Sequence, residues 1–147
     1  MTTSDITATG RPAGADLGEA MTHRTLVVDG LPQPGGAYSH VTSAGGLVFS
    51  AGFGPQDPQT SGVPEGITAQ TEATLLNVQR ALAGAGLGLA DVLKMTVHLA
   101  ELERDFAAFD AVYGRIVPRP YPVRTTVGSR LLGILVEIDV VAGSDGD

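Results

Sequence analysis

The 147-residue chain contains no cysteine and no tryptophan. Without thiols it can form no disulfide, no thiolate nucleophile and no cysteine-ligated zinc or iron–sulfur cluster. Other aromatics are scarce, 4 Phe and 3 Tyr, too few for a platform on which nucleic-acid bases stack. Basic residues are short as well: 9 Lys and Arg stand against 16 Asp and Glu, a net charge of −7. No nucleic-acid partner is expected on that balance. Histidine occurs only at His23, His40 and His98, without His-x-Glu or His-x-x-x-His spacing, so no metal site is expected. No run approaches the roughly 18–20 apolar residues of a membrane helix, and Met1–Asp5 has none of the charge-then-apolar pattern of a secretory signal. The expectation is a soluble, cytoplasmic domain with no membrane partner.

What is present is a core. Hydrophobic residues make up 43% and charged ones 17%, enough for one globular domain. Residues 1–22 and 143–147 show no periodicity and read as flexible tails around a domain of residues 23–142. Asp5, Asp16 and Glu19 against Arg11, with Asp145 and Asp147, put more than half of the net charge in those tails. The domain itself is close to neutral.

Within it, strands are expected at Thr25–Asp29 and Gly46–Gly52, with a Gly- and Pro-rich loop at Gly30–Gly36 and a turn at Asp57–Gly62. From about Thr68 the period changes: Leu75, Val78, Leu82 and Ala85 recur at helical steps until Gly84 and Gly86 supply a stop. Asp91–Leu99 alternates, with Met95, Val97 and Leu99 opposite Lys94, Thr96 and His98. A second helix, Arg104–Val117, carries Phe106, Phe109, Tyr113 and Ile116 on one stripe and stops at Pro118. Strands Val123–Gly128 and Gly133–Ala142 close the domain. This order predicts an α+β fold, a sheet covered by two helices on one face, with the other face suited to burial against another subunit.

Several of these segments, in this order, resemble the RidA family (YjgF/YER057c/UK114). They are Pro34–Ser39, Gly46–Gly52, Asp57-Pro58, Asp91–Val97, Phe106–Tyr113, Pro122–Val127 and Val136–Asp139. The resemblance covers about residues 25–142. It implies a chorismate-mutase-like mixed sheet assembled as a homotrimer with clefts between subunits. The implied activity is hydrolysis of reactive enamines and imines, of the 2-aminoacrylate and 2-iminopropionate type, to a 2-oxo acid and ammonia, with no cofactor.

The resemblance also assigns residues. Arg124, which alone reads as a surface arginine, maps onto the family's substrate-carboxylate arginine; a guanidinium grips a carboxylate bidentately. Glu137, an acid in an apolar strand, matches the glutamate that holds the attacking water and moves protons. Tyr38 is placed at the pocket wall. Gly52 corresponds to the glycine whose backbone lines the pocket, where a missing Cβ permits close approach. Thr126 matches a position whose main chain faces the substrate nitrogen. Asp139 reads as a surface acid, His98 as a surface or interface histidine, and His40 stays unassigned.

Two features depart from the family pattern. Phe53 follows the pocket glycine where glutamine is common. Arg124 and Glu137 are separated by 13 positions through Ser129–Gly133, a shorter route than usual, and Arg130 there could add a positive charge. These departures keep open a pathway-specific enzyme for a larger enamine or imine. A non-catalytic ligand-binding or chaperone-like protein of the same fold is the remaining alternative.

Overall fold

The computed structural model describes residues 4–9 and 22–143. In chain order the elements are β1 (Ser4–Thr9), β2 (Thr22–Val27), β3 (Val41–Ala44), β4 (Leu47–Ser50), α1 (Ile67–Gly84), β5 (Val92–Leu99), α2 (Leu102–Ile116), β6 (Val123–Gly128) and β7 (Val136–Gly143). The strands make one seven-stranded sheet ordered β1-β2-β3-β4-β7-β5-β6. Only β5 and β6 run parallel, joined through α2; every other neighbouring pair is antiparallel. The sheet is therefore mixed, as expected, and a crossover helix is what a parallel pair requires.

The alternation in β5 decides which face is buried. Met95, Val97 and Leu99 pair across with Val140, Ile138 and Val136, and all six are buried. Leu75, Val78 and Leu82 of α1 and Phe109 and Tyr113 of α2 join them in one core. α1 ends where the sequence predicts. Gly86 takes φ +77°, and the amides of Gly86 and Leu87 return to the carbonyls of Ala83 and Leu82, a closure that needs a left-handed residue.

Two strands lie outside the sequence expectations. Val41–Ala44 is only four residues long, too short to show a period, but it forms a hairpin with β4. Gly45 and Gly46, at φ 58° and 79°, supply the turn that matches the twist of paired strands. Ser4–Thr9, expected to belong to a loose N-terminal segment, instead pairs antiparallel with β2. Residues 1–3, 10–21 and 144–147 of the expected tails lie outside the described residues. The last strand also begins later than expected, at Val136, because Gly133 turns the chain at φ 73°.

Among the described residues, no helix covers the other face of the sheet. Register places Phe49, Val141, Lys94 and Val123 in one row across it, Asp139, Thr96 and Thr125 in a second, and Glu137, His98 and Val127 in a third. Phe49, Val123 and Val127 are exposed there.

Candidate active site

Glu137 is carried by β7 between buried Val136 and Ile138, so its side chain emerges on the helix-free face. Its carboxylate lies against Gly52: a Cβ built there would stand 2.8 Å from Glu137 Cδ and Oε2. Only the bare backbone of a glycine lets the carboxylate take this position. Tyr38, Gly52 and Glu137 line one cleft of about 370 Å³, with Pro32, His40 and Phe53 among its other walls. Among the described residues, Glu137 forms no ion pair.

The other walls explain how the cleft keeps its shape. His40 is buried; Nδ1 accepts the Val28 amide at 2.8 Å and Nε2 lies 2.9 Å from the Pro32 carbonyl. An accepting Nδ1 leaves the proton on Nε2, which donates to Pro32. His40 thus fastens both ends of the Val28–Pro32 segment that leads to Tyr38. The Tyr38 hydroxyl accepts the Gly35 amide at 2.9 Å, which folds the tyrosine onto its own loop and leaves its O–H free to donate. Phe53 belongs to the core. Its amide and carbonyl bond Ile138 and its ring meets His40 at 5.6 Å, so it packs as a wall and does not plug the cleft.

Arg124 is elsewhere. It is paired with Met95, which puts it on the helix-covered face, at the β6 edge of the sheet. Its Nη1 lies 2.8 Å from Asp110 Oδ1 of α2, and the arginine side chain is 20% exposed. The guanidinium carbon sits over three rings of α2, 4.5 Å from the Tyr113 centroid, 5.4 Å from Phe109 and 5.8 Å from Phe106. Aromatic faces attract a cation and fix the plane of the guanidinium. Asp110, Tyr113, Tyr121 and Arg124 line a second cleft, which shares no residue with the first.

A family model described as Endoribonuclease L-PSP matches residues 30–144, nearly the span of the RidA-like segments. The chain belongs to this family. A RutC family protein of Pyrococcus horikoshii is 38% identical over 120 residues, 80% of this chain and 94% of that protein. The 2-iminobutanoate/2-iminopropanoate deaminase of Salmonella typhimurium is 31% identical over 124 residues, 81% of this chain and 96% of the enzyme. Escherichia coli TdcF with bound serine aligns at a TM-score of 0.75 and 30% identity, covering 81% of this chain and 98% of TdcF. The RidA-type fold expected from the sequence is therefore the observed one.

Of the RidA-type residues singled out in the sequence, one chain brings Tyr38, Gly52 and Glu137 together and keeps Arg124 apart. Thr126 follows Arg124 on β6, paired with Val97; at a sheet edge, part of its backbone faces outward. Arg130 is exposed beside Glu101, Glu103 and Arg104 in a third cleft, away from both others. His98, across from Glu137 in register, meets Ser129 Oγ at 2.6 Å through Nδ1. Asp139 is half-buried rather than a plain surface acid. Burial pushes its carboxyl above the usual range, with His98 and Lys94 opposing the shift.

Sequence reasoning missed Asp110 and placed Tyr113 only in a core stripe. The available signal was their i, i+3 spacing on α2, but nothing local links that pair to Arg124. Among the described residues no group of three or more His, Asp or Glu could hold a metal ion. No helix there is long and apolar enough to cross a membrane.

Proposed function

We propose that this protein hydrolyses reactive 2-enamino and 2-imino acids of the 2-aminoacrylate type to 2-oxo acids and ammonia. The work is done in clefts shared between the subunits of a homotrimer, without a cofactor. One observation carries the reading: Glu137, held against the bare backbone of Gly52, and Arg124 occupy different clefts on opposite faces of one chain's sheet. A second copy laid on the helix-free face brings one chain's Arg124 edge toward another's Glu137. The exposed Phe49, Val123 and Val127 on that face favour such burial. The deaminase activity in the name of the Salmonella relative supports the same chemistry.

In this reading the Arg124 fork binds the substrate carboxylate and aligns the imine carbon. An enamine first takes a proton on carbon and gives one up from nitrogen, becoming the imine. Glu137 accepts a proton from a water as its oxygen bonds to the imine carbon, and the proton passes to the nitrogen. The carbinolamine then collapses: the hydroxyl proton is relayed through the Glu137 carboxylate or solvent to the nitrogen, the C–N bond breaks, and ammonia leaves as the C=O forms. Tyr38, with its O–H free to donate, and the Thr126 main chain orient the water and the nitrogen.

The test generates 2-aminoacrylate with a dehydratase and follows imine loss with and without the protein. Acceleration that disappears in Arg124→Ala and in Glu137→Gln is expected. No acceleration by the unmodified chain overturns the activity, and leaves a ligand-binding protein of the same fold. Native mass should give three subunits; a monomer overturns the shared cleft. Phe53 packing away as a wall leaves the cleft at about 370 Å³, within the size of small-molecule pockets. That favours, as a second reading, a larger imine; higher kcat/KM for longer-chain imines than for 2-iminopropionate would establish it. The ribonuclease in the family description is not adopted, because a net charge of −7 opposes a polyanion.

A further inference from the structure

We propose that the hydroxyl of Tyr113 donates a hydrogen bond to the carboxylate bound by Arg124, which makes Tyr113 a further substrate-binding residue. The inference rests on the reading of Arg124 as the carboxylate clamp.

Tyr113 is 4% exposed, and its ring is held by Phe109 at 5.6 Å and Tyr121 at 6.4 Å. Its buried Oη has no hydrogen bond of good geometry among the described residues. The Arg124 guanidinium is close enough to hydrogen-bond it but can only donate, so the phenol's own O–H has no acceptor. Buried polar groups are almost always paired, so an orphan calls for an explanation. A phenylalanine would fill the same space without a stranded hydroxyl. Three other buried side-chain atoms share this condition, on Asp29, Thr71 and Thr74, but Tyr113 is the one that lines the cleft of Arg124.

The neighbours define what the hydroxyl can meet. Arg124 lies closest, its guanidinium carbon 4.5 Å from the ring centroid, and an arginine offers only donors. Asp110 already engages Arg124 Nη1, and Tyr121 spends its own hydroxyl on the Gly114 carbonyl at 3.1 Å. Neither the Asp110 carboxylate nor the Tyr121 hydroxyl accepts from the Tyr113 O–H. A substrate carboxylate supplies an acceptor: its oxygens hold lone pairs beyond those a guanidinium fork takes, and O–H donation to an anion is among the stronger hydrogen bonds. Burial raises the Tyr113 phenol, with Asp110 adding to the effect and Arg124 opposing it. The group therefore stays a protonated donor at neutral pH.

The experiment compares Tyr113→Phe with the unmodified full-length protein. It measures kcat and KM for 2-iminopropionate, the dissociation constant of pyruvate by calorimetry, and the melting temperature. A rise of about tenfold in both KM and the pyruvate constant is expected, with kcat nearly unchanged. The melting temperature should hold or rise, since the ring is kept and a hydroxyl without an acceptor removed. Unchanged KM and pyruvate binding in Tyr113→Phe overturn the proposal, as does a fall in melting temperature with no change in binding. Arg124→Lys separates the two readings. If it leaves pyruvate binding intact, the clamp itself fails; if it abolishes binding while Tyr113→Phe does not, only the hydroxyl's role fails. A wild-type protein that binds no pyruvate overturns both.

Discussion

The two clefts of this chain are built by opposite means. Around Glu137 the shape comes from what is missing: Gly52 has no Cβ, and a side chain there would collide with the carboxylate at 2.8 Å. His40 then ties the neighbouring loop through backbone hydrogen bonds. Around Arg124 the shape comes from bulk, since Phe106, Phe109 and Tyr113 stack beneath a guanidinium whose partner Asp110 lies one helical turn away. One cleft holds an acid without a cation; the other holds a cation anchored on aromatic rings. Neither contains both halves of the chemistry. That division is what the proposed site between chains rests on.

The strongest way to break that comparison is to mix chains. Arg124→Ala and Glu137→Gln proteins should each be inactive alone. Unfolded and reassembled together, they should recover about a quarter of wild-type activity, the share of clefts that combine one intact residue from each chain. No recovery, with mixed trimers seen by native mass, would place both residues in one chain's site. Next in size, Gly52→Ala should lower kcat about 10- to 100-fold by displacing Glu137, with KM moving little. An equal loss of substrate affinity would mean that Gly52 acts on the binding half instead.

A smaller effect separates shape from chemistry. His40→Ala strands the Val28 amide and the Pro32 carbonyl, at a cost of about 1–3 kcal/mol for each group. Melting should fall clearly. His40→Gln, with an acceptor and a donor to offer, should restore most of it; equal melting of both variants would remove His40 from the framework.

The smallest concerns the helix-free face. Asp139 has a carboxyl raised by burial, so the folded chain holds that proton more tightly than the unfolded chain. Its contribution to stability is full below the unfolded value of about 3.9 and is lost as pH rises through the raised folded value. Asp139→Asn should therefore raise the melting temperature slightly at pH 7 and not at pH 3.5. A gain of equal size at both values would assign the effect to something other than ionisation.

Much of this was legible in the residues. The alternation of Met95, Val97 and Leu99 identifies the buried face of β5, and the Leu75–Val78–Leu82 steps with Gly86 beyond them bound α1, because both patterns are local. The pairing of Gly52 with Glu137 could be named only through the family resemblance, since 85 residues separate them. Short β3 was invisible because four residues carry no period. Its existence depends on partners on both sides and on the turn at Gly45 and Gly46.

By itself, then, the sequence determined the class of fold, the two helices, the buried faces of the central strands and the candidate residues. Each of these follows from periodicity, turn chemistry or motif order within short windows. Tertiary structure alone decided that Arg124 and Glu137 emerge on opposite faces, that Asp110 and Tyr113 surround the arginine, and that one hydroxyl is buried beside it with no acceptor. The reason is physical. A side chain's period along its own strand says which neighbours share its face, but strand order and register across the sheet decide what it meets.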